Sequence, residues 1–196
     1  MIRQSDMMKV IQQHRGDAVV VPVFRASPRW KEVSDRPELD LPVGGAMGKA
    51  SSFAMGVALA RPDKNVILLD GDGSLEMNLG ALVTIGEQAP SNMYHFVVQN
   101  GVYASTGGQP IVGADTVSFK DIALSAGYKH GYDFDDLEEF STTIPDIFSN
   151  GGPALITVRI VPEIRSPEER ATERASAGNQ PGWVPYHRLK DELEKV

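Results

Sequence analysis

The sequence predicts an α/β fold, doubly wound, with a mostly parallel sheet flanked by helices. Three observations carry this. Continuous apolar runs rich in β-branched residues recur at "AVVVPVF" (18–24), "NVILLD" (65–70), "MYHFVVQ" (93–99) and "PALITVRIV" (153–161). Such runs suit strands covered on both faces. Segments of helical period stand between them, and strands alternating with helices imply parallel pairing. Glycine-flanked polar residues then follow two successive runs, at Gly71-Asp72-Gly73 and Gln99-Asn100-Gly101. Parallel sheets carry their ligands at such strand ends.

The elements follow in order. Residues 1–14 read as a helix that ends near Gly16, and 18–24 as a strand. "RASPRWKEVSDRPEL" is polar and proline-bearing, which favours loop or short helix. "DLPVGGAMGKASSFAMGVALA" opens with a short strand and enters a helix near Met47, whose small residues permit close packing on a sheet. After the strand 65–70, "SLEMNLGALVTIGEQ" reads as one helix with Leu75, Leu79, Leu82 and Val83 on its apolar face. The strand 93–99 is followed by a helix over 119–127 with a glycine stop and by a short strand in "YKHGYDF". "DLEEFSTTIPDIFS" reads as a helix interrupted at Pro145, and its acidic start suits the helix dipole. The strand 153–161 closes a domain over 1–162. Residues 163–196 read as an arm without apolar periodicity, extended or mobile, ending in a short helix at "YHRLKDELEKV".

Composition excludes several function classes. The formal net charge of −7 with no basic cluster argues against nucleic acid and anionic membranes as partners. The absence of cysteine rules out disulfides and thiolate zinc sites and fits a cytoplasmic protein. No run is long enough to span a membrane and none reads as a signal peptide. His14, His95, His130 and His187 show no metal spacing, and His95 reads as a packed residue within an apolar strand. Trp30 and Trp183 read as interface residues, with disorder of the polar arm an equal reading for Trp183.

Asp72 is placed between a strand and a helix, on a turn expected to be exposed. Gly71 and Gly73 let the backbone turn and approach a ligand, and the amides of Gly73 and Ser74 open the next helix, where a phosphate is favoured. Asn100 ends the following strand. Neighbouring parallel strands bring the two together. A carboxylate, an amide and main-chain carbonyls form an oxygen set for Mg2+ shared with a diphosphate.

From Gly71 to Asn100 the chain resembles the thiamine diphosphate motif, which begins with Gly-Asp-Gly and ends in an asparagine. The resemblance implies a thiamine diphosphate-binding fold of the diphosphate-binding type, with Asp72, Asn100 and the carbonyl of Val102 on magnesium. It implies diphosphate contacts from Gly71, Gly73 and Ser74, with Tyr103 beside the cofactor. "GGAMGKASSFAMGVALA" is similar to the turn that holds this cofactor bent; carried over, Met47 is the wedge, next to Ala46, and the carbonyl of Gly45 accepts from the aminopyrimidine. On its own, Met47 reads first as a core methionine at a helix start; beside Asp72 and Asn100 it reads as the wedge.

"GDGSLEMNLGALVTIG" and "QNGVYASTGGQP" resemble the β subunit of sulfopyruvate decarboxylases and the related phosphonopyruvate decarboxylases. The resemblance implies the diphosphate-binding half of a thiamine diphosphate-dependent 2-oxoacid decarboxylase, acting on a three-carbon anionic 2-oxoacid, sulfopyruvate ahead of phosphonopyruvate. Ser105 and Thr106 stand where pyruvate-type members carry an apolar residue and a glutamate. They hold a substrate oxyanion or belong only to a flexible lid; both readings stay open. The family's activating glutamate comes from a pyrimidine-binding domain, and Glu76 and Glu87 are misplaced for that role. The implied assembly is therefore a hetero-oligomer with a pyrimidine-binding partner subunit, α2β2 or larger. The alternatives are a subunit of another split thiamine diphosphate enzyme, acyloin-forming or a 2-oxoacid oxidoreductase, and a non-catalytic diphosphate-binding regulatory module.

Overall fold

In the computed structural model, which describes residues 1–45, 47–169, 172 and 184–195, a five-stranded parallel sheet runs in the order β1-β2-β3-β7-β6. Its strands are β1 (Val19–Pro22), β2 (Val66–Gly71), β3 (Met93–Gln99), β6 (His130–Phe134) and β7 (Ala154–Arg159). A separate antiparallel ribbon pairs β4 (Val102–Tyr103) with β5 (Gln109–Pro110). The helices are α1 (Gln4–His14), α2 (Ala26–Lys31), α3 (Ala50–Ala60), α4 (Asp72–Glu76), α5 (Gly80–Gln88), α6 (Phe119–Ser125) and α7 (Leu137–Asn150), with a terminal helix at Val184–Leu193.

The two faces follow from the period of two along each strand. Val20, Ile67, Leu69, Phe96 and Ile156 point to one face and pack with Met8 and Ile11 of α1, Trp30 of α2 and Ile144 of α7. Val21, Leu68, Val97 and Leu155 point to the other and pack with Ala54 of α3, Leu82 of α5 and Ala123 of α6. Every residue of β1 and β3 is buried, as the unbroken apolar runs require. The chain advances from β1 to β3, skips one position to β6, then steps back to β7. Reversing direction with right-handed crossovers moves the connecting helix α7 to the opposite face. The doubly wound class is thus observed.

Some local expectations are corrected. The helix expected near Met47 starts at Ala50, because Met47 and Gly48 form a turn. The short strand before it is reduced to isolated bridges, Asp40 with Val20 and Val43 with Val23. The single helix expected after Asp72 is two, α4 and α5, separated at Met77–Leu79, where the Asn78 amide donates to the carbonyl of Gly48 at 2.8 Å. Val83 is consequently on the solvent side, 62 % exposed, and Ala81, Leu82 and Ile85 form the buried face. Pro145 does not interrupt α7, which runs through it. Trp30 is no interface residue. It is buried, its indole N–H donates to Asp40 at 2.8 Å, and the Arg15 guanidinium lies 5.3 Å from its ring centre.

Trp183 lies outside the described residues. In the arm, Glu163 pairs with Arg29, and Leu189 of the terminal helix joins the second core. Tyr186 of that helix meets Phe53 of α3 edge to face at 6.0 Å. Among the described residues no helix is long and apolar enough to cross a membrane.

Candidate active site

The C-terminal ends of β1, β2 and β3 open onto one cleft of about 560 Å3, counting its mouth. Gly71, Asp72, Gly73 and Ser74 line it from β2 and α4, Asn100, Val102 and Tyr103 from beyond β3, and Met47 from the turn before α3.

Asp72 is the first residue of α4, and it is buried rather than exposed as its turn position suggested. The reason is the adjacent strand. Its Oδ2 accepts from the main-chain N–H of Asn100 at 2.9 Å and of Gly101 at 2.7 Å, while Oδ1 accepts from Gly73 at 2.9 Å. The carboxylate therefore closes the end of β3 with three amides, and no cationic side chain among the described residues pairs with it. Burial pushes its pKa above the usual 3.8, against the downward pull of those amides. Glu76 is pushed up as well, first by burial and then by the charge of Asp72. Asn100 turns its Oδ1 to the N–H of Val102 at 2.9 Å, which leaves one lone pair for a further donor or cation.

The Met47 turn is tied to the same helix start. Gly48 donates its N–H to Ser74 Oγ at 3.3 Å, and its carbonyl accepts from Asn78. Gly48 has φ +79°, and a Cβ there would lie 3.2 Å from the Cβ atoms of Met77 and Asn78. Gly73 is needed for close approach: a Cβ there would stand 2.4 Å from the Tyr103 ring. Small residues thus let Met47, α4 and the Tyr103 ring crowd around one point.

Other predicted residues fare differently. Gly45 is exposed and is not among the residues lining the cleft; Ala46 lies outside the described residues. Ser105 and Thr106 line the mouth, in the turn joining β4 to β5. Thr106 Oγ1 lies 2.8 Å from Gln109 Oε1 and 3.2 Å from the carbonyl of Tyr103, so its proton serves the ribbon. Glu87 is exposed, and neither Glu76 nor Glu87 lines the cleft. His95 is packed as expected, with Nδ1 3.2 Å from the Tyr128 hydroxyl and Nε2 3.6 Å from Asp70. The sequence reading missed Gln4, Phe24, Arg25, Ala26 and Val98 in the lining. Applying the strand-end rule to β1 as well as β2 and β3 would have found Phe24 to Ala26.

Among the described residues no group of three or more His, Cys, Asp or Glu side chains gathers. The cleft instead offers the carboxylates of Asp70 and Asp72, the side-chain amides of Gln4 and Asn100, and main-chain carbonyls. This donor set fits a hard cation only if phosphate oxygens or water complete its shell.

The family profile described as "Thiamine pyrophosphate enzyme, C-terminal TPP binding domain" matches residues 33–158. This chain belongs to that family. It is 36 % identical over 160 residues to a phosphonopyruvate decarboxylase of Streptomyces viridochromogenes, covering 82 % of this chain and 40 % of that protein. It is 33 % identical over 162 residues to the sulfopyruvate decarboxylase subunit beta of Methanocaldococcus jannaschii, covering 82 % of this chain and 85 % of that subunit. The chain spans less than half the length of the phosphonopyruvate decarboxylases it matches. Among solved structures, a thiamine diphosphate-dependent 4-hydroxybenzoylformate decarboxylase of Rhodococcus jostii superposes with a TM-score of 0.70 at 21 % identity, covering 84 % of this chain and 33 % of that one. This last likeness concerns the fold. The thiamine pyrophosphate-binding domain accounts for the sheet and for the position of the cleft at its strand ends.

Proposed function

We propose that this chain is the diphosphate- and Mg2+-binding subunit of a two-subunit thiamine diphosphate-dependent decarboxylase, a carboxy-lyase acting on an anionic three-carbon 2-oxoacid. Sulfopyruvate is the first candidate and phosphonopyruvate the second. The observation that carries the reading is Asp72: a buried carboxylate, braced by the amides of Gly73, Asn100 and Gly101 and facing a cleft, with no cation of its own. Asp72, Asn100 and the carbonyl of Val102 hold the metal, and the amides of Gly73 and Ser74 meet the diphosphate at the start of α4. Met47, locked through Gly48 to Ser74, sets the angle between the two rings of the cofactor. When bound, the cofactor supplies the electron sink that lets carbon dioxide leave a 2-oxoacid. The chain's own work is to orient that group, neutralise its phosphates and shield the reacting carbon from water.

The partner subunit follows from what the cleft lacks. No glutamate lines it among the described residues, and a carboxylic acid beside the aminopyrimidine is needed to activate the cofactor. Two apolar side chains next to residues that pack on Gly48 and Gly73 are exposed: Met77, against Gly48, at 56 %, and Val112, next to the Ile111 that packs on Gly73, at 86 %. Exposed apolar side chains of this kind suit a pyrimidine-binding subunit that brings the missing acid. The named relative "Sulfopyruvate decarboxylase subunit beta" supports this division of labour.

The test is carbon dioxide release from sulfopyruvate and phosphonopyruvate, with thiamine diphosphate and Mg2+ present. The chain alone is expected to be inactive, and addition of a pyrimidine-domain subunit is expected to restore turnover. Robust turnover by the chain alone would overturn the split-site reading.

A further inference from the structure

Asp70 stands two residues before Asp72 and lines the same cleft, yet its charge is turned inward. The residue is 1 % exposed. Its Oδ1 accepts from the N–H of Gly71 at 2.9 Å, and Gly71 leads the chain into Asp72 and α4. Its Oδ2 is buried with no hydrogen-bond partner among the described residues, and it lies 3.6 Å from Nε2 of His95. That nitrogen is buried and unpartnered in the same way, on a fully enclosed ring. At this separation the two form an electrostatic contact rather than a hydrogen bond. Such atoms are costly to bury unless each answers the other.

The strand register explains the contact. Across β2 and β3, Leu68 pairs with His95 and Asp70 with Val97, so Asp70 and His95 are diagonal neighbours. With a period of two they share the face of Leu68 and Val97, where Tyr128 also packs. The Tyr128 hydroxyl lies 3.2 Å from His95 Nδ1. Burial, and then the charge of Asp70, pushes the Tyr128 pKa above its usual 10.0, so the hydroxyl keeps its proton. Nδ1 accepts that proton in a hydrogen bond, which leaves the ring hydrogen on Nε2, aimed at Asp70. The other tautomer would set a lone pair against a carboxylate oxygen. Neither His95 nor Tyr128 lines the cleft, so their reach into it runs through Asp70.

We propose that His95, oriented by Tyr128, is a positioning residue for the metal loop. Through Asp70 it holds the Gly71–Asp72 turn in the geometry that presents the Asp72 carboxylate to magnesium. The proposal deepens the function given above and rests on it. Two carboxylates two residues apart would otherwise compete for one ion. Because Asp70 is answered from inside the sheet by His95 and Gly71, Asp72 alone of the pair is left open to the cleft. The arrangement follows the general pattern in which groups behind a metal's ligands fix the orientation of those ligands.

Calorimetry on the full chain measures the Mg2+ concentration that gives half-maximal thiamine diphosphate binding. His95→Phe, which keeps a ring and removes both nitrogens, is expected to raise that concentration about tenfold. His95→Gln places an N–H near the position of Nε2 and is expected to recover most of the loss. In an Asp70→Asn background, His95→Phe is expected to add less than about twofold, because its route runs through the carboxylate. Nitrogen-15 NMR of the wild-type imidazole is expected to show a proton on Nε2, and Tyr128→Phe is expected to weaken that preference. Unfolding midpoints accompany each variant, and His95→Gln and the NMR measurement keep the test open if His95→Phe does not fold. A lowered midpoint with an unchanged Mg2+ requirement would make His95 a packing residue and overturn the assignment. The full loss persisting in the Asp70→Asn background, or a wild-type Nε2 without a proton, would overturn it too. A wild-type chain that binds no thiamine diphosphate at any Mg2+ concentration would instead overturn the proposed function itself.

Discussion

Asp40 and Asp72 both sit at the edge of the core with their oxygens held by several donors, yet their charges are answered differently. Asp40 accepts from Arg15 at 2.9 Å, from the Trp30 indole at 2.8 Å and from Ser34. The Arg15 side chain is 1 % exposed and also donates to the carbonyl of Ala18 at 2.8 Å. Burial lowers the pKa of Arg15, and Asp40 pulls it back up. This is a closed ion pair, braced on an aromatic ring. Asp72 has three amides and no cation, and it faces a cleft. The first arrangement pairs its charges within the chain and ties α1, α2 and the following turn together. The second is geometrically fixed and electrostatically open, as a site prepared for a metal must be.

The largest expected effect breaks the closed pair. Asp40→Ala leaves the Arg15 charge buried without its partner and is expected to cost about 3–5 kcal/mol in denaturant unfolding. Cofactor affinity of the protein that remains folded should not change. A loss below about 1 kcal/mol would remove the contrast, since it would make Asp40 an ordinary surface ion.

Asp72→Ala takes the acceptor from one buried and two half-buried N–H groups. It is expected to cost about 1–3 kcal/mol of stability and to abolish metal-dependent cofactor binding. Affinity equal to wild type would sever Asp72 from the metal. In the reconstituted complex, Met47→Ala is expected to lower turnover about tenfold more than it lowers cofactor affinity, because the wedge fixes a reactive geometry. Equal losses would make Met47 a packing residue.

The smallest effect is one of pH. The raised pKa of Asp72 means that the folded chain binds its proton more tightly than the unfolded chain does. Without a cation, this stabilising contribution is complete at low pH and is lost as pH rises through the folded pKa. Magnesium needs the carboxylate, so cofactor binding should weaken as pH falls, beginning above the 3.8 of an ordinary aspartate. Calorimetry across weakly acidic pH checks this, and a profile flat down to that value would contradict it.

The strands were legible because fully covered strands need unbroken apolar runs, and "MYHFVVQ" matches β3 residue for residue. The break between α4 and α5 was not. Leu75, Leu79 and Leu82 keep a helical rhythm across it, while the cause, the bond from Asn78 to Gly48, joins segments thirty positions apart. Asp72 and Asn100 were legible from their places after two strand-like runs. The burial of Asp72 depends on the main chain of Asn100 and Gly101 and could not be read from its flanking glycines. Arg25 was hidden because no glycine marks the left-handed corner at Phe24. Trp30 was misread for the same kind of reason: its partners, Arg15 and Asp40, lie on either side of it in the chain and meet only once α1 and α2 pack.

The central claim is that the open charge at Asp72 is a metal site for a diphosphate. Calorimetric titration of the wild-type chain and of Asp72→Asn with thiamine diphosphate, with and without Mg2+, tests it most directly. Wild type should bind only when Mg2+ is present, and Asp72→Asn should show no magnesium effect. Equal wild-type binding with and without the metal, or a magnesium effect that survives in Asp72→Asn, would contradict it.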